Sequence, residues 1–184
     1  MHPSSGENGR VSELPSPQSE LLEALYRGDR DTVEAILAER PDLTIFEAAA
    51  VGDAKRVREL LSVQPGAAAD WSPDGFTALH LAAFLGREKV AATLLERGAD
   101  VSAVARNPLR VQPLHSAAAG GHTAVARLLL EHGADPNARQ EGGFVPLHAA
   151  ARNDQLYELL LASGADQDAA TDDGRTAADF RAES

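Results

Sequence analysis

Three histidines, His80, His115 and His148, recur at separations of 35 and 33 positions. An imidazole can ligate a metal or act as a base near neutral pH. Two acidic sets, Asp172 with Asp173 and Asp100 with Asp135, are of a type that can supply paired carboxylates for acid–base work. Spacing and surroundings argue against both kinds of chemistry. Zinc needs each nitrogen at about 2.0–2.1 Å, whereas packed helices lie roughly 8–10 Å apart. Rings carried one per stacked unit therefore point in parallel rather than at a common centre. The aspartates sit beside Gly, Pro or Ala, where Asp is favoured for hydrogen bonds within its own turn. His122 and His132 read as surface residues flanking one helix, the second in a last turn where a cation suits the helix dipole. No G-x-S-x-G, G-x-G-x-x-G or P-loop sequence occurs, and Ala119-Gly120-Gly121-His122 reads as a turn between helices rather than a phosphate cradle. The expectation is a chain with no catalytic residue, no metal ligand and no cofactor.

What elements, then, hold the histidines at such regular intervals? The chain has 184 residues, 43% of them apolar, which suffices for one domain with a sizeable core. Aromatics are only 4%, so the core must be built from Ala, Leu and Val, which suits thin, closely stacked helices. The lack of cysteine excludes disulfide frameworks and thiolate metal sites. A formal charge of -11 repels phosphate backbones, so nucleic acid is disfavoured as a partner. No apolar run approaches the roughly 18 residues that span a bilayer, and the first twenty residues lack a signal-peptide pattern, so no membrane association and a cytoplasmic location are expected.

The histidines belong to an internal repeat. TALHLAA over 77–83 returns as QPLHSAA over 112–118 and VPLHAAA over 145–151. A second landmark travels with it: LLERGAD over 94–100, LLEHGAD over 129–135 and LLASGAD over 160–166. Each unit reads as a short inner helix of small residues, a Gly turn, and an outer helix with apolar residues such as Val125, Leu128 and Leu129 at i, i+3, i+4. Gly98, Gly133 and Gly164 stand just past the Leu runs, where a left-handed residue ends a helix. Divergent units begin near Leu21 and Ile45, and in the first of these Asp31 with Glu34 fits a capping box. Asp173 to Phe180 reopens the motif near the C-terminus, with Asp179 where the histidine stood.

These paired landmarks resemble the ankyrin repeat, with its T-P-L-H-x-A signature and period of about 33 residues. The resemblance implies an all-α solenoid of about five helix-turn-helix repeats plus a truncated C-terminal cap. Units are expected over 19–42, 43–75, 76–110, 111–143 and 144–173, with the cap over 174–184. Residues 1–18, rich in Ser, Pro, Gly and Glu, are expected to be disordered. It further implies that His80, His115 and His148 are structural, bonding the loops between repeats. Two spacings depart from the pattern. The finger after Gly98 is two residues longer than that after Gly133, and the fifth unit lacks two turn residues near Asn153-Asp154. The second departure predicts a tighter link between that unit's helices.

The family's binding surface is the concave face, formed by finger tips and the inner-helix positions before the turn Gly. Carried over, it comprises Tyr26, Arg27, Phe84, Leu85 and Arg152 on the inner helices, and Phe76, Val111, Phe144 and Arg175 before the helix starts. Phe76 and Phe144 either join this face or pack on the neighbouring finger. Arg106 and Arg110 add positive charge on the long finger, and Arg139 on the next. The implied function is a non-enzymatic, monomeric protein-binding module, an adaptor, inhibitor or regulatory subunit, whose partner has an acidic and partly apolar surface; a regulatory subunit of an enzyme complex and, less favoured, a nucleic-acid binder using the finger arginines are the alternatives.

Overall fold

A computed structural model of the protein describes residues 19–40 and 42–183; the expectation for residues 1–18 lies outside the described residues. Among the described residues, eleven α-helices follow one another: α1 (Glu20–Arg27), α2 (Arg30–Glu39), α3 (Ile45–Val51), α4 (Ala54–Val63), α5 (Ala78–Phe84), α6 (Glu88–Glu96), α7 (Pro113–Ala119), α8 (Thr123–Glu131), α9 (Pro146–Ala149), α10 (Asp154–Ala162) and α11 (Ala177–Ala182). They form five antiparallel pairs and one unpaired inner helix, α11. Inner helices α1, α3, α5, α7 and α9 pack in a row closed by α11, and outer helices α4, α6, α8 and α10 pack in a second row behind them. Among the described residues, extended pairing is limited to the isolated bridges Trp71–Thr77 and Ala170–Thr176 in the fingers. None of the described helices is long and apolar enough to cross a membrane.

Small side chains on the inner row make the close stack possible. Ala48, Ala49, Ala82, Ala83, Ala117 and Ala150 are fully buried, as are the register-equivalent Leu79, Leu114 and Leu147. The outer row contributes Val57 and Leu61, Val90 and Leu94, Val125 and Leu129, and Leu156 and Leu160, each pair four apart on one face. Helix α2 buries no residue fully; among the described helices it packs mainly on α1.

One device sets the start of the inner helices. In α3, α5, α7, α9 and α11 the N-cap backbone N–H donates to the side chain three residues on. The pairs are Thr44 to Glu47 Oε2 (2.9 Å), Thr77 to His80 Nδ1 (3.2 Å), Gln112 to His115 Nδ1 (3.2 Å), Val145 to His148 Nδ1 (3.0 Å) and Thr176 to Asp179 Oδ2 (2.8 Å). Glutamate and aspartate thus replace histidine in the second unit and in the cap without loss of the local bond, which is half of a capping box. In the first unit the cap of α2 is Asp29, whose carboxylate accepts from Thr32 N at 3.1 Å and Thr32 Oγ1 at 2.7 Å. Asp31, expected to cap, instead lies inside the first turn. The sequence places two acids two residues apart, and the one nearest Gly28 has the non-helical backbone a cap needs.

The fifth unit has the predicted tight link. Helix α9 is a single turn, residues 150–152 tighten into a 3-10 turn, and Asn153 at once caps α10 by accepting from Leu156 N at 3.1 Å. Arg181 of α11 closes this end. Its guanidinium donates to Ala151 O at 3.0 Å and meets Asp154 at 2.7 Å.

Candidate protein-binding groove

Hydrogen bonds within and between repeats fix the floor of the inner face. Because His80 Nδ1 accepts from Thr77 N and lies 2.8 Å from Thr77 Oγ1, the ring proton sits on Nε2, which donates to Val111 O at 3.0 Å. The imidazole thereby joins its own helix start to the next finger. His148 Nε2 makes the corresponding link to Arg175 O at 3.2 Å. His115 keeps the local bond to Gln112, while its buried Nε2 faces the Phe144 backbone without a hydrogen bond of good geometry. Burial lowers the pKa of His80 to about 4, despite the bond to Val111, and lowers that of His115 too. Both rings are neutral at pH 7.

Above this floor lies a groove of about 440 Å³ between the inner helices and the fingers. One wall is aromatic: Tyr26 from α1 and Phe84 from α5 meet edge to face, ring centroids 6.1 Å apart at 71°. Each nevertheless keeps about two fifths of its surface in solvent, 39% for Tyr26 and 40% for Phe84. Desolvation, then the nearby Asp74 carboxylate, push the Tyr26 phenol pKa upward, so the hydroxyl stays neutral. The opposite wall is the long finger, with Leu109 exposed and Val111 buried beneath it, and Gln140 of the following finger closes one end.

Of the residues picked out by sequence, Tyr26, Phe76, Phe84 and Val111 line this groove. Phe76 also packs on the His80 ring of its own unit, centroids 5.7 Å apart, rather than on the neighbouring finger. Val111 is only 9% exposed, and its carbonyl accepts from both His80 and Ala105 N, so it supports the wall from below. Leu85 is half-buried against the small cluster of Leu22, Ala50 and Leu81. Phe144 lies away from the groove, its ring between His148 and Phe180 at 5.6 and 5.8 Å. The cations are dispersed. Arg27 lies 3.9 Å from Glu23, Arg106 stacks 3.6 Å over the Trp71 ring, and Arg152 is exposed beyond α9. Arg139 is 3.7 Å from Asp172, and Arg175 covers Phe180 and meets Glu183 at 2.7 Å. Arg110 stands exposed on the long finger. Gly98, Gly133 and Gly164 end the outer helices with φ of 84°, 90° and 91°.

Sequence reasoning missed Leu109 and Gln140. A leucine between Pro108 and Arg110 in the over-long finger was the available signal, since no repeat-core position falls there.

Stacked helical hairpins joined by fingers, with an open apolar groove on the inner face, define an α-helical repeat protein. Two models of ankyrin repeats match the chain, one of three copies over residues 21–105 and one of many copies over residues 114–159. Together they cover more than two thirds of it, and the chain belongs to the ankyrin-repeat family. No curated protein matches the chain significantly.

Proposed function

We propose that the protein is a non-enzymatic interaction module, an adaptor, inhibitor or regulatory subunit, which holds a protein partner on its concave face by way of the groove between α1, α5 and the long finger. The observation that carries this reading is the Tyr26–Phe84 pair. Two aromatic rings fixed by one another, yet each two-fifths exposed, are in place to bury area on contact at little cost in side-chain entropy. A nucleic-acid partner fits less well. The net charge is -11, and Arg106, Arg139 and Arg175 are engaged within the protein instead of presented in a row. A cytoplasmic setting and a monomeric state belong to the same proposal.

The test is affinity purification with the full chain and with Phe84→Asp, followed by direct binding of any partner identified. The expected result is a partner that binds the wild-type chain and loses at least about tenfold in affinity for the variant, while the variant unfolds at the wild-type temperature. A partner that binds both proteins equally would place the interface elsewhere.

A further inference from the structure

The groove is apolar on both walls and uncharged on its floor, so what distinguishes one occupant from another must come from its rim. There the long finger is unusual. Arg110 stands between the groove-lining Leu109 and Val111 and has φ of 51°, the one non-glycine residue with positive φ among the described residues. A left-handed backbone at a long side chain is sparsely populated and needs the surrounding structure to hold it. Here the turn is held by Arg110 N donating to Asn107 O at 3.2 Å, Ala105 N to Val111 O at 2.8 Å, and Glu141 N of the next finger to Leu109 O at 3.3 Å. The guanidinium makes no ion pair with any described carboxylate, unlike those of Arg27, Arg139 and Arg175.

Its neighbours along the row of fingers are of opposite sign. Asp74, on the preceding finger, is tied to this one by Asn107 Nδ2 donating to its carbonyl at 3.0 Å, and its Oδ2 is buried without a hydrogen-bond partner. Glu141, on the following finger, is exposed. The rim therefore alternates: carboxylate, guanidinium, carboxylate. A partner surface that is acidic throughout would gain at Arg110 and lose at Asp74 and Glu141.

We infer that the groove receives a short segment of the partner with two large apolar side chains, one against Tyr26 and Phe84 and one against Leu109, and a single carboxylate beside them that meets Arg110. This rests on the protein-binding reading above and specifies the partner's chemistry. The volume of about 440 Å³ is near the lower end of ligand-sized sites, so it admits a few side chains of a projecting segment and not a folded face.

Selection of random displayed peptides on the full chain tests this, with Phe84→Asp as control and Arg110→Glu as charge reversal. Winning sequences should pair two large apolar residues with one Asp or Glu. A synthetic winner with that acid changed to Lys should bind about tenfold more weakly to the wild type, and the order should invert on Arg110→Glu. Winners without charge preference, or with the same preference on Arg110→Glu, overturn the inference, even where a natural partner still depends on Phe84 and the protein-binding reading stands. No enrichment over the Phe84→Asp control overturns it as well. So does a concentration-dependent dimer that Phe84→Asp abolishes, which would assign the groove to a second copy of the chain.

Discussion

The carbonyl oxygen of Phe84 lies where a methyl group on Gly120 would have to sit. Gly120 has φ of -76°, an ordinary right-handed value, so what it supplies is room and not a special conformation. Inner helices α5 and α7 thus meet main chain to main chain beside the groove. Phe84 turns its backbone toward the next repeat and its ring toward Tyr26 and solvent. One residue sets repeat spacing with one part of itself and offers binding surface with the other.

Gly120→Ala should therefore cost about 1–3 kcal/mol through overpacking, since a backbone carbonyl cannot swing aside as a side chain can. Urea unfolding of the two proteins measures it. Equal midpoints would mean that the repeats do not approach this closely.

Leu114→Ala and Phe84→Ala separate core from surface. Leu114 is fully buried, and its truncation should cost about 2–5 kcal/mol by leaving a cavity. Phe84→Ala should leave the melting temperature near that of wild type and weaken an identified partner by roughly 2 kcal/mol or more. The reverse pattern, a large stability loss with intact affinity, would make Phe84 a core residue.

The buried histidines predict an acid sensitivity of definite sign. His80 has a pKa of about 4 when folded, against 6.5 for a solvated imidazole, so between those values the unfolded chain binds the extra proton and stability falls as pH falls. The loss should begin near pH 6.5, approach about 3 kcal/mol by pH 4 for this group, and level off below. His115 acts in the same direction. Glu47 operates at the acid end: burial would raise its pKa, but hydrogen bonds from Thr44 and the charge of Arg40 bring it below the usual value. Denaturant titrations of wild type and His80→Gln from pH 7 to 4 check this, with a shallower slope expected in the variant. Identical slopes would refute the neutral buried ring.

Arg181→Ala should loosen the end of the stack selectively. The side chain donates to Ala151 O, meets Asp154 and lies 4.4 Å over the Tyr157 ring, but it is about one third exposed, so a global loss of only about 1 kcal/mol is expected. Hydrogen exchange should rise in α9, α10 and α11 and stay unchanged in α3 to α6. Uniform acceleration would show that the last unit does not open by itself.

The stack was legible in the sequence because each repeat restates the same local requirements. A small-residue helix, a turn glycine, an outer helix with apolar residues four apart and a helix-ending glycine are all contacts of short range or between equivalent positions, so TALHLAA and its two echoes carry them openly. The position of the histidines followed from the same pattern, and so did the tight link near Asn153. The groove was not legible to the same degree. Whether Phe144 faces a partner or the Phe180 ring, whether Arg106 reaches outward or lies on Trp71, and how Leu109 comes to stand across from Tyr26 depend on side chains more than thirty positions apart. Periodicity says which residues share a register. It does not say how a long side chain divides between its neighbours and solvent, because that balance is struck by the shape and charge of adjacent fingers, which vary most where the repeat constrains them least.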